Sequence, residues 1–165
     1  MNAKNILFRG KRIDNGEWIT GALFPTSNGD PLICNSVINM SLVGETSMCT
    51  ACAIDADTVG QSINRVDKNG REIFVGDILQ GDSYPFYYEQ DNVYNYYAEV
   101  CWFDDEAYFG LCAYKNPNSS VIGVNTGNTY MLNNWEPGQW EVIGNVYDNP
   151  ELCGEEEEDI TNGYF

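Results

Sequence analysis

An all-β, β-rich fold with little helix, a small barrel or a sandwich, is what this sequence predicts, and three observations carry the prediction. Short apolar or alternating segments recur along the 165 residues. Gly, Asn and Pro turns punctuate them, and no segment sustains a helical period. Hydrophobic residues make up 43% of the chain and aromatics 13%, enough for a real core. The length suits one domain, or one domain with appendages.

The elements follow in order. Ile6 to Phe8 is an apolar run leading into Arg9-Gly10-Lys11-Arg12-Ile13. Asp14-Asn15-Gly16 reads as a hairpin turn of type I′, because Asn-Gly readily supplies two positive-φ positions. Glu17 to Phe24 returns as the second strand, and Pro25 through Pro31 is loop. Leu32 to Val43 is apolar without a clean period and reads only weakly as strand, while residues 44–58 are small, polar and irregular. Asp67-Lys68-Asn69-Gly70 is a second Asn-Gly turn, followed by Arg71-Glu72-Ile73-Phe74. Gly76-Asp77 entering Ile78-Leu79 suits a tight corner, with the carboxylate accepting backbone N–H groups. Residues 80–97 form a polar excursion rich in tyrosine. Ala98 to Phe103 and Ala107 to Tyr114 are partner strands around the turn Asp104-Asp105-Glu106. Val121 to Val124, Tyr130 to Leu132 and Gln139 to Tyr147 supply further strands, and Asp148 to Leu152 is a stop with one helical turn.

Charge is distributed unevenly. The formal net charge is -17, and histidine is absent. Residues 1–71 balance seven acids against seven bases, whereas residues 72–165 hold 18 acids and the single base Lys115. A run of five acids, Glu155 to Asp159, lies within the last eleven residues. No Ser-His or Cys-His pair and no His metal site can exist here. Direct embrace of nucleic acid is disfavoured because the Coulomb interaction has the wrong sign. No apolar run reaches the length of a secretory or membrane segment, so the expectation is a cytoplasmic protein with no membrane partner. Its six cysteines are then expected to be mostly reduced. Cys49-Thr-Ala-Cys52 lacks the second ligand pair of a structural zinc site and the βαβ setting of a redox motif.

Several motifs carry a family resemblance. Phe8-Arg9-Gly10-Lys11-Arg12 with Asn15-Gly16-Glu17-Trp18 opens like the YopX proteins of phages and prophages. Thr58-Val59-Gly60-Gln61, Asp67 to Phe74 and Gly76-Asp77-Ile78 resemble that family's central signature. Glu141-Val142-Ile143-Gly144-Asn145-Val146-Tyr147-Asp148-Asn149-Pro150-Glu151-Leu152 resembles its ending. Residues 25–57 and 80–97 and the terminal acidic run match no family motif. The resemblance singles out Gly16, Trp18, Gly60, Gln61, Asn69, Gly70, Gly76, Asp77, Gly144 and Asn145. It implies an SH3-like barrel in the C-terminal half and a mobile-element gene expressed in a bacterial host. The expected organisation is a β-hairpin region with an irregular insert over 1–57, the barrel over 58–153 and an acidic tail over 154–165. The resemblance implies no activity.

Two function classes remain. Asp104, Asp105 and Glu106, with Tyr87, Tyr88, Tyr94, Tyr96 and Tyr97, form an acidic aromatic set suited to a basic protein surface. Aromatic residues serve there as anchors and acids set the charge match. The expectation is therefore a non-enzymatic binding module for a basic host or phage protein, in its sharpest form a mimic of DNA charge. It needs no cofactor and no metal. The alternative is a metal-dependent hydrolase built on Asp104, Asp105 and Glu106 with Asp77 or Glu99. Self-association into a homo-oligomer through edge strands stays open as a third option. The basic cluster Arg9, Lys11 and Arg12 is expected to pair with the protein's own acids.

Overall fold

The structure is a computed structural model that describes residues 6–27, 29–35, 51–81, 96–115, 129–131 and 140–153. Its strands are β1 (Phe8–Lys11), β2 (Trp18–Phe24), β3 (Leu32–Cys34), β4 (Ala51–Ala53), β5 (Gly60–Val66) and β6 (Glu72–Phe74). β7 (Asp77–Gly81), β8 (Tyr96–Phe103), β9 (Tyr108–Lys115), β10 (Thr129–Met131) and β11 (Trp140–Asn145) follow. Single 3-10 turns cover Ala56–Thr58 and Pro150–Cys153. The protein is all-β, as its turn-punctuated sequence predicts. None of the described helical segments is long and apolar enough to cross a membrane.

The strands form two antiparallel sheets. The first has the order β4-β3-β2-β1-β5-β6 and the second the order β10-β9-β8-β7-β11. β5 and β6 therefore extend the N-terminal sheet. β11 returns from the far end of the chain to pair with β7, in the register Trp140↔Gly81 to Asn145↔Asp77. A bulge between Val142 and Gly144 lets β11 follow the twist of its partner.

Each sheet has a buried cluster. Ile19, Ile33 and Ile54 fill the first, with Phe8, Leu23, Cys52 and Val59 packed around them. The second holds Leu79, Ala98, Val100, Leu111, Trp140 and Val142. Ile73 of β6, backed by Ile63 of β5, belongs to this second cluster although its strand lies in the first sheet. Burying an aliphatic side chain of this size contributes about 1.5–3 kcal/mol. Ile73 is thus a hydrophobic bolt between the sheets.

Two sequence expectations need correction. The Asn15-Gly16 turn is not type I′: Gly16 has φ +71°, but Asn15 is not left-handed. The loop closes instead through the Arg12 N–H to the Glu17 carbonyl at 2.9 Å, and Asn15 Oδ1 accepts the Glu17 N–H at 3.0 Å. A longer loop needs only one left-handed residue, which Gly16 supplies. Residues 51–58 are also not irregular, because Ala51–Ala53 pairs with β3 in the register Leu32↔Ala53, Ile33↔Cys52, Cys34↔Ala51. Ala and Cys have no strong strand preference of their own; the neighbouring strand imposes it. The strand expected over Val121 to Val124 and the acidic tail lie outside the described residues.

Candidate functional site

Trp18, Gly60, Gly76, Asp77 and Asn145 of the residues singled out by the family resemblance lie, with Arg9, where the two sheets meet. Arg9, on β1, is 5% exposed, and Asp77, at the start of β7, is fully buried. The Arg9 guanidinium forms an ion pair with Asp77 Oδ1 and donates to the Val75 carbonyl at 3.2 Å. Asp77 Oδ2 accepts the Phe74 N–H at 2.8 Å, closing the corner that Gly76 turns at φ +83°. Gly76 joins both sides of the corner: its N–H reaches the Val100 carbonyl and its carbonyl accepts the Val146 N–H. Burial pushes the Asp77 carboxyl above its ordinary range, while Arg9 and the Phe74 N–H pull it back towards the ionised form.

Aromatic rings close the junction. The Arg9 guanidinium lies 4.8 Å from the Trp18 ring centroid and 5.2 Å from that of Phe74, an arrangement its planar cation favours. Trp18 packs against Tyr147 at 5.8 Å and donates its indole N–H to Asp148 at 2.7 Å. Lys11 Nζ is 2.5 Å from the other oxygen of Asp148. Asn145 is nearly buried; its Oδ1 accepts the Tyr147 and Asp148 N–H groups at 3.0 Å each, and its Nδ2 donates to Asp148. The Asn145, Lys11 and Trp18 donors together lower the Asp148 carboxyl to about 2.

The remaining motif residues serve the same packing. A Cβ on Gly60 would lie 2.3 Å from the Val75 carbonyl oxygen, so β5 can approach the corner only without one. The Gln61 carbonyl accepts the Val75 N–H at 2.9 Å beside it. Gly144 leaves room for the Asn149 side chain. Gly16 sits in the β1–β2 turn, and Asn69-Gly70 in the β5–β6 turn.

That last turn is a second staple. Asp67 is buried and accepts the N–H groups of Asn69 at 2.8 Å, Arg71 at 2.9 Å and Val142 at 3.1 Å. Burial opposes its ionisation, but those three donors outweigh it and hold the carboxyl below the usual range. Lys68 pairs with Glu141 at 2.7 Å in the same place.

The acids at residues 104–106 lie elsewhere, at the tip of the β8–β9 hairpin. Asp104, Asp105 and Glu106 are all exposed. Two cross-strand aromatic pairs flank them, Trp102↔Phe109 and Phe103↔Tyr108. Their ring centroids are 4.9 Å and 5.0 Å apart, so the aromatic rings are held in place around the turn. Trp102 is 44% exposed and donates its indole N–H to Asp104. Phe103, Tyr108 and Phe109 were not among the residues expected at a site. Their signal in the sequence is the near-symmetric run Trp-Phe-Asp-Asp-Glu-Ala-Tyr-Phe, which a hairpin folds into two packed pairs, one on each face.

The tyrosines expected to join these acids divide differently. Tyr97 is 8% exposed and belongs to the interior, so it is not part of an outward surface. Tyr96 lies on β8. Tyr87, Tyr88 and Tyr94 lie outside the described residues. Asp77 is consumed in its ion pair with Arg9 at the junction of the sheets, whereas Asp104 follows the end of β8 at the hairpin tip. Among the described residues, no group of three or more His, Cys, Asp or Glu side chains could hold a metal ion.

Two antiparallel sheets, joined by a buried Arg9–Asp77 ion pair and by the corner that Gly76 turns, define an all-β protein. A family model described as YopX protein matches residues 7–153. The chain belongs to the YopX family. A search of curated proteins finds no match.

Proposed function

We propose that this protein is a non-enzymatic binding module, and that the tip of the β8–β9 hairpin is its contact surface for a basic protein partner. The observation that carries this reading is a pair of packed aromatic rings on each face of the hairpin, directly beside three exposed acids. Held rings lose little side-chain entropy on binding, which makes Trp102 and Tyr108 economical anchors. The acids add attraction for Arg and Lys and steer encounter, and the net charge of -17 strengthens that field. Such a surface fits a basic phage or host protein in a bacterial cytoplasm, and it fits imitation of DNA charge. The strand order β10-β9-β8-β7-β11 supports an SH3-like barrel as the platform that presents the hairpin.

The test compares the wild-type chain with a variant neutralised at the tip, Asp104→Asn with Asp105→Asn and Glu106→Gln, as baits in bacterial lysate over rising salt. The expected result is a basic partner retained by the wild type at low salt. The neutralised variant loses it, and so does the wild type once the contact is screened. Equal recovery by both baits overturns the reading. So does sub-millimolar binding of Mg²⁺, Mn²⁺ or Ca²⁺ by calorimetry, which favours a carboxylate-based hydrolase.

A further inference from the structure

The β8–β9 hairpin carries a second chemical feature, below its tip. Cys101 and Cys112 are not directly opposed: Cys101 faces Gly110, and Cys112 faces Glu99. They lie on one diagonal of the ladder, and residues two apart along a strand share a face. Gly110 places no side chain opposite Cys101, and the two sulfurs meet 3.1 Å apart. That is about 1 Å beyond the covalent sulfur–sulfur length of roughly 2.05 Å. Both residues are free thiols and only partly buried. Packing alone would be served by any two small apolar side chains. A pair of thiols in contact, with solvent access, has a further chemistry open to it.

We propose that Cys101 and Cys112 are a redox-active pair that closes into a reversible cross-strand disulfide by exchange with a low-molecular-weight disulfide such as oxidised glutathione. In the first step the Cys112 thiolate attacks one sulfur of glutathione disulfide. A protein–glutathione bond forms, and one glutathione thiolate leaves. In the second step Cys101, as thiolate, attacks the Cys112 sulfur, forms the intramolecular bond and expels the second glutathione thiolate. The two thiol protons of the protein end on the two released glutathiones. One disulfide is reduced and one is formed, so atoms and electrons balance.

The order of attack follows from the contact. The Cys101 thiol donates towards the Cys112 sulfur, which raises Cys101 and lowers Cys112. Burial and the Glu99 carboxylate oppose ionisation of both. Cys112 is therefore the first nucleophile and Cys101 the resolving one. The closed bond would clamp the hairpin immediately beneath the Phe103–Tyr108 pair, which shares its face of the ladder. This chemistry stands independently of any partner at the tip.

The experiment equilibrates the full chain in glutathione buffers from reducing to oxidising, traps free thiols with an alkylating reagent and maps the peptides by mass spectrometry. Cys101 and Cys112 are expected to lose alkylation together in one transition, joined to each other, while Cys52 and Cys153 stay alkylated. Cys101→Ser is expected to leave Cys112 carrying glutathione, whereas Cys112→Ser leaves Cys101 as a free thiol. Alkylation of both cysteines across the whole range overturns the proposal. Independent glutathione adducts on each in the wild type, or pairing of either with another cysteine, overturn it equally.

Discussion

Arg9 shows how much a single side chain does in this protein. Its guanidinium neutralises a fully buried carboxylate, caps the Val75 carbonyl and stacks between Trp18 and Phe74. Its Nε is buried without a hydrogen-bond partner among the described residues, so the stacking must offset part of that cost. A buried ion pair adds little over a matched apolar pair, but removing one partner leaves an uncompensated charge. Asp77→Ala should therefore destabilise the fold by about 3–5 kcal/mol, measured by urea unfolding. A loss below about 1 kcal/mol would show that Arg9 finds other partners or solvent. The corner role of Asp77 was legible, because a Gly-Asp step entering an apolar strand needs an acceptor for the turn's N–H. Its partner was not legible. Arg9 reads as one of three neighbouring bases, and nothing local says that it points inward.

At the scale of elements, the hairpins are joined by their turns and ends. Asp148, following β11, ties that strand to the β1–β2 hairpin through Lys11 and Trp18. Its carboxyl is lowered to about 2, so the folded state favours the ionised form. The stabilisation is fully present above the unfolded value near 3.9 and is lost as pH falls towards 2. Its side chain is 39% exposed, so solvent screening reduces the size of the effect. Unfolding followed by intrinsic tryptophan fluorescence should thus show stability dropping between about pH 4 and 2. Asp148→Asn should flatten that slope, and an unchanged slope would place the acid sensitivity elsewhere. Turns were the most readable elements because their chemistry is local. Even so, the Asn-Gly dipeptide alone did not determine loop length at Asn15-Gly16. β4 was invisible because Ala-Cys-Ala has weak preferences and becomes a strand only beside β3.

For the whole molecule, the charge balance decides the response to salt. Described bases are drawn into pairs with the protein's own acids: Arg9 with Asp77, Lys11 with Asp148, Arg12 with Asp14 and Lys68 with Glu141. The exposed pairs among them contribute about 0–1 kcal/mol each. Self-repulsion from a net charge of -17 acts over the whole surface and outweighs them. Raising salt from about 0.01 to 0.15 M shortens the screening length from roughly 30 to 8 Å. The melting temperature should rise over that range in scanning calorimetry. A fall would mean that the ion pairs dominate.

Strand and turn alternation, the acid-rich second half and the motif residues of the family all follow from the chain read residue by residue. Period-two patterning and turn chemistry act over a few residues, so they are written locally. The sheet order, the pairing of Arg9 with Asp77 across 68 residues and the bond from Trp18 to Asp148 across 130 were decided only by the tertiary structure. Any of the many acids could satisfy any base as far as sequence goes. Which ones meet depends on how two sheets stack, because burial rewards a single arrangement of apolar faces and the charges must then find partners within it.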